Sequence, residues 1–265
     1  MINKQTSGHS TPSPRGGFGV GVEQSTEEYT PSPRGGFGVG VSIFLFLLIL
    51  VAAACSDEEE DYDPYYSWGS RNAQWFQSAT DSARKDIAEA KALYGDEWQQ
   101  HAQWRVYKSL NQAQDYDTRQ LTDSIVVRVI SRGEGSVSPT WTDTVRISQR
   151  GWLMPTTYRM YNAQGQLQDS LRQEVFSQTY YGAFDSTTAA PVLSAVSLFT
   201  EGFATALQYM VEGDDWLVYI PYPLAYGKEG RDVIPGYSTL QFRIHMAAVY
   251  PAGTPVPSWK APARR

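Results

Sequence analysis

A single cysteine, Cys55, among 265 residues leaves no partner for an intramolecular disulfide and too few thiols for a structural zinc cluster. Histidine is scarce as well. His9, His101 and His245 stand far apart, and His245, alone in an alternating stretch, reads as structural rather than catalytic. Lys and Arg number 22 against 28 Asp and Glu, a net charge of −6, so there is no basic surplus with which to hold nucleic acid. No apolar run reaches the roughly 20 residues needed to span a bilayer. No G-x-S-x-G is present, and no nucleophile, base and orienting group recur at a telling spacing. What is present is apolar and aromatic residue, 42% and 13% of the chain, with 8 Trp and 17 Tyr. That is enough for one principal domain of aromatic-rich strands with appendages.

The first 54 residues do not read as part of that domain. TPSPRGGFGVGV occurs at 11–22 and again at 30–41, too short and too polar to stack as a solenoid. Its glycines follow no strand and never complete G-x-G-x-x-G, so the expectation is a disordered Gly/Pro segment or a start codon set too far upstream. The apolar run 42–54 has the length of a signal-peptide core, and it ends Val51-Ala52-Ala53-Ala54-Cys55. Small residues before a cysteine resemble a lipobox, which implies lipidation at Cys55 and anchoring in a Gram-negative outer membrane, facing either the periplasm or the cell surface. An ordinary secretory signal with a chance cysteine is the alternative. Residues 55–67 open with Ser56-Asp57-Glu58-Glu59-Glu60-Asp61, a like-charge run expected to act as a solvated tether; it also resembles a surface-export tag.

Residues 68–115 are expected to be a helical appendage with a short strand. Phe76, Ala79, Ala83, Ile87, Ala90 and Tyr94 recur at helical spacing, and Gly95 stands at the position of a C-terminal cap. Trp104–Ser109 reads as a short strand. From 116 to 250 the period becomes two: Ile125, Val127 and Val129 alternate with their neighbours, as do Val145 and Ile147, and Leu217–Ile220 and Leu240–Ile244 complete the set. The segment Thr200–Met210 is the exception, with Phe203, Leu207 and Met210 on one helical face. An α+β fold follows, an antiparallel sheet around one short helix. Residues 251–265 form a Pro-rich tail.

Several motifs in that domain occur in a telling order. Val211-Glu-Gly-Asp-Asp-Trp-Leu-Val-Tyr-Ile-Pro-Tyr-Pro-Leu-Ala-Tyr-Gly227 is followed by Val233-Ile-Pro-Gly-Tyr-Ser-Thr-Leu-Gln-Phe242. Upstream stand Val145-Arg-Ile-Ser-Gln-Arg-Gly-Trp-Leu153 and the helix Glu201–Met210. Together these resemble the FKBP-type peptidyl-prolyl isomerases, over about half the chain. The resemblance implies an FKBP-like half-barrel wrapped around its helix, acting on proline-containing polypeptides without any cofactor or metal. By resemblance, Tyr226 holds a substrate carbonyl through its hydroxyl, Phe203 forms the pocket floor, and Phe176, Ile234, Phe242 and Val192 form its walls. Phe199 and Thr200 match a pair that offers a backbone N–H to substrate.

Two positions depart from the family pattern. Ser177 stands where the family has an aspartate, and Gln149 where it has a strand tyrosine. The segment from Met154 to Ala190 is also longer than the family's usual connection. The expected function is therefore X–Pro isomerisation that assists folding of exported proteins. A binding module or chaperone with the same groove but weak turnover is the rival reading. A structural subunit that uses Gly253–Lys260 as an interaction strip is a second rival.

Overall fold

Period-two patterning produces the sheet, and the bulk of each inward side chain decides where its covering helices sit. The computed structural model describes residues 62–112 and 120–260. The repeats, the apolar run, Cys55 and the acidic residues through Asp61 lie outside the described residues, as does the end of the tail beyond Lys260.

Among the described residues there are nine strands: β1 (Trp104–Lys108), β2 (Ser124–Ser131), β3 (Thr144–Trp152), β4 (Thr156–Tyr161), β5 (Leu167–Arg172), β6 (Val175–Gln178), β7 (Val192–Ala195), β8 (Asp215–Ile220) and β9 (Leu240–Tyr250). Seven of them form one antiparallel sheet in the order β1-β2-β8-β9-β3-β6, with β7 also pairing β3. Among the described residues, strands β4 and β5 pair only with each other. Along β9, Leu240, Phe242, Ile244 and Met246 are buried while Gln241, Arg243 and His245 are partly exposed, the alternation of a strand with one covered face.

Among the described residues three α-helices accompany the sheet: α1 (Trp68–Tyr94), α2 (Trp98–His101) and α3 (Glu201–Tyr209). Helix α3 packs on one face of the sheet. Phe203, Ala204, Ala206 and Leu207 are buried in the main core with Ile125, Val127, Val145, Ile147, Val218, Ile220, Leu240, Ile244 and Met246. Gly202 makes this contact possible, because a Cβ there would lie 2.3 Å from Ile220 Cγ2. The fold is α+β, an antiparallel sheet around one short helix.

Helix α1 covers the other face. Phe76, Ala79 and Ala83 form a second cluster with Val126, against Trp104, Val106, Leu121 and Tyr219. Small alanines let the helix lie close to the strands. Gly95, at φ 52°, ends it and returns its N–H to the Lys91 carbonyl. Of the expected stripe, Ile87 is half-buried and Tyr94 is 46% exposed, because the helix runs past the sheet before it stops. Strand β2 thus lies between two helices, which is why Ile125, Val126 and Val127 are all buried and read as a continuous apolar run.

The boundary expected between 115 and 116 does not hold for the sheet. Strand β1, assigned by sequence to the appendage, pairs with β2 along its whole length, from Trp104↔Arg128 to Lys108↔Ser124. The N-terminal helix is also tied to the last strand's approach: Trp68 Nε1 donates to Ser238 Oγ at 2.8 Å, and the Thr239 N–H donates to Asn72 Oδ1 at 2.9 Å. At the other end the tail folds back. Arg146 Nη2 donates to the Pro257 carbonyl at 2.6 Å, with its guanidinium 5.8 Å from the Tyr250 ring and 5.7 Å from that of Trp259.

Candidate active site

Between the end of β3, β6, β9, the entry to α3 and the 226–234 loop lies a pocket of about 380 Å³. Its lining includes Gln149, Phe176, Ser177, Phe199, Thr200, Phe203, Tyr226, Ile234 and Phe242. Nine of the ten side chains that the sequence nominates for substrate are therefore brought together.

Three aromatic rings form the floor. The Phe242 ring stands edge-on to Phe203 (4.9 Å, 88°) and to Phe176 (5.2 Å, 86°), and Phe199 stacks on Phe203 at 4.6 Å. Such edge-to-face contacts fix ring orientation as well as burying area. Phe203, Phe242 and Ile234 are 3%, 6% and 7% exposed, so the floor is dry. Gly151 makes room for it. A Cβ at this position would lie 2.5 Å from Phe242 Cε1 and 2.8 Å from Phe176 Cζ, so the two rings occupy the space a side chain would need.

The roof is a loop shaped by backbone conformations that most residues avoid. Gly227 and Gly230 have φ of 68° and 73°, and Asp232, which is not glycine, has φ 51°. Reciprocal hydrogen bonds join the backbones of Arg231 and Ile234 at 2.9 and 2.8 Å, which turns Ile234 inward. Gly236 passes the Lys228 carbonyl so closely that a Cβ would come within 1.9 Å of it. Tyr226 is half-buried at the start of this loop, with the Arg231 guanidinium 5.7 Å from its ring. Among the described residues no hydrogen bond engages the Tyr226 hydroxyl.

Polar groups converge on the opposite wall. Gln149 Nε2 donates to Ser177 Oγ at 2.8 Å, so the two departures from the family pattern are partners of one another. At the mouth, the Phe199 N–H is already given to the Val196 carbonyl at 3.2 Å, whereas the Thr200 carbonyl accepts from Ala204 within α3.

Val192 is the exception. It lies on β7, is 42% exposed and does not line the pocket. Strand β7 pairs with β3 only from Thr144 to Ile147, so it stops short of Gln149 and Gly151, where the pocket begins. Leu198, Arg231, Asp232 and Val233 line the pocket and were not singled out from sequence. Proximity to Ile234 in the Val233-Ile-Pro motif was the one available signal for the last three.

Residues 135–247 match the family described as FKBP-type peptidyl-prolyl cis-trans isomerase. Among curated proteins, the chain is 29% identical over 138 residues to the macrophage infectivity potentiator of Trypanosoma cruzi, covering 52% of this chain and 59% of that one. It is 31% identical over 125 residues to the FKBP-type 22 kDa peptidyl-prolyl cis-trans isomerase of Escherichia coli K12, covering 46% and 48%. It is 30% identical over 133 residues to the outer membrane protein MIP of Legionella longbeachae, covering 49% and 46%. The chain thus spans about half the length of the curated relatives it matches.

Proposed function

From the membership of residues 135–247 in the FKBP-type peptidyl-prolyl cis-trans isomerase family, we propose that this pocket accelerates rotation about X–Pro bonds in polypeptides. The observation that carries the reading is the trio of edge-to-face rings, Phe176, Phe203 and Phe242, under the Tyr226–Ile234 loop.

Rotation about an amide breaks its resonance, across a barrier of about 18–20 kcal/mol. The planar amide is more charge-separated than the twisted one, so a dry apolar cup favours the twisted state over the planar. In this pocket the proline ring would rest on Phe203 against Phe176, Phe242 and Ile234. The Tyr226 hydroxyl would donate to a carbonyl of the substrate. Of the Phe199–Thr200 pair, the Thr200 N–H is the donor open to substrate, since Phe199 has spent its own on Val196. No proton moves, and the twist needs no cofactor.

A binding module with little turnover is the second reading, and the Gln149–Ser177 hydrogen bond favours it. This wall presents a neutral pair to the twisting amide, with no charge on it. A protease-coupled assay on a proline tetrapeptide decides between the two. Acceleration over the uncatalysed rate is expected, and Tyr226→Phe should lower it about threefold to tenfold, the equivalent of one hydrogen bond of about 0.5–1.5 kcal/mol. Melting should be little changed in that variant. No acceleration by the folded wild-type protein, with retained affinity for a proline peptide, gives the binding module.

One relative is by its name an outer membrane protein, and the run 42–54 before Cys55 supports an envelope lipoprotein here. Exported proteins are then the substrate pool, facing the periplasm or the cell surface. Mass spectrometry of the membrane fraction should find an acylated Cys55 at the mature N-terminus. An unmodified Cys55, or an intact 42–54 segment, overturns that part of the proposal.

A further inference from the structure

We propose that the outer face of the β4–β5 hairpin docks on the surface of a lipid bilayer. Register puts Thr157, Arg159 and Tyr161 opposite Leu171, Asp169 and Leu167, so these six side chains share one face. Tyr161, Leu167 and Leu171 are 70%, 55% and 72% exposed, and neither core cluster includes them. Large apolar side chains gathered on a two-stranded hairpin that no third strand covers mark an interaction surface. Arg159 stands among them, 3.5 Å from Asp169, and Arg172 follows, so this hairpin has a cationic surplus in a chain of net charge −6.

The chain that leads to this face selects the partner. Tyr62 rests on the hairpin: its hydroxyl donates to the Thr157 carbonyl, and the Arg159 guanidinium lies 4.8 Å from its ring. Seven residues farther back is Cys55, a reach of at most about 25 Å when fully extended. The inference rests on the lipid attachment proposed for Cys55. With that cysteine at a bilayer, the hairpin on which Tyr62 rests lies within reach of the surface, and its strand from Thr157 to Tyr161 is about 13 Å long. A tyrosine sits well at headgroup depth, leucines sit well at the acyl boundary, and an arginine pairs with phosphate. The acidic residues 57–61 lie on the same path and oppose attraction to an anionic surface. The contact is therefore apolar in origin and forms on zwitterionic lipid.

The test uses the full lipidated chain in phosphatidylcholine vesicles, with a fluorophore on Leu167→Cys or, as a reference, on Leu93→Cys at the exposed end of α1. Aqueous iodide should quench the label at 93 freely and the label at 167 severalfold less. Adding Tyr161→Asp and Leu171→Asp should restore quenching at 167 while the protein still sediments with vesicles. Sedimentation with equal quenching at both positions overturns the docking and leaves lipid attachment standing. Shielding that forms without vesicles and rises with protein concentration, or that unfolded polypeptide produces equally well, assigns the face to a second copy or to a client and also overturns it. A protein that stays in the supernatant with the mass of an unmodified Cys55 removes the attachment and the docking together.

Discussion

Gln149 and Ser177 stand where the sequence resemblance leads one to expect a phenol and a carboxylate; Gln149 Nε2 donates to Ser177 Oγ, while the buried Gln149 Oε1 has no hydrogen-bond partner. Changing one alone strands its partner in a half-buried wall, so single substitutions should cost more than their sizes suggest. A double-mutant cycle with Gln149→Tyr and Ser177→Asp should give a coupling of about 0.5–3 kcal/mol, read by chemical denaturation. The double variant, which restores the family pattern, should also turn over proline peptide faster than wild type; equal or slower turnover would show that the neutral pair is not what limits the rate. Gly151 sets the floor by absence. Gly151→Ala places a methyl against two rings, and overpacking of this kind costs about 1–3 kcal/mol. Both melting temperature and activity should fall, since Phe176 and Phe242 line the pocket. Nine pocket residues were legible because ordered motifs carry them. Val192 was not, because its position depends on where β7 stops against β3, a register that no local pattern encodes. Asp232 was hidden for another reason: its left-handed backbone is a property of the closed loop, and no residue preference announces it.

At the level of elements, β2 could be read as a strand, but its burial on both sides could not be. The run Ile125-Val126-Val127 announces two covered faces only once α1 is known to lie against Val126. The β4–β5 hairpin was missed outright: Thr-Thr-Tyr-Arg-Met-Tyr and Leu-Gln-Asp-Ser-Leu-Arg carry little contrast between their faces, and one of those faces is exposed. Helix α1 was legible from its spacing and its Gly95 stop, and it packs on the sheet against Val126 and Tyr219. Phe76→Ala should therefore cost about 3–5 kcal/mol, as for a fully buried aromatic, and should lower the melting temperature even though the residue is remote from the pocket. A loss below 1 kcal/mol in urea titration would mean that α1 contributes little to the fold.

For the whole molecule, acid should loosen the structure in two separate windows. Burial holds the His245 imidazole below its ordinary value, opposed by Asp215 and reinforced by Arg243. The unfolded chain takes up that proton near pH 6.5 and the folded chain only at lower pH. Stability is thus full above about pH 6.5 and declines as pH falls toward the folded value. Asp143 acts lower down. Its burial would raise it, but the N–H groups of Thr140 and Ala252 hold the carboxyl below its usual range, so its contribution fades only below about pH 4. His245→Gln should flatten the stability profile between pH 7.5 and 5.5 and leave the loss near pH 4 unchanged. A profile identical to wild type in the upper window would place its cause elsewhere.

The bonds between Trp68 and Ser238 and between Thr239 and Asn72 join residues 170 and 167 positions apart. Closing a loop of that size is entropically slow, and contacts of long sequence separation form late. A chain delivered N-terminus first would expose the Phe76 face of α1 while β2, β3 and β8 were still arriving. The helix precedes the strands it covers, and its seat is complete only once Ser238 and Thr239 have followed. During that interval α1 is open to any escort that recognises an apolar helix face.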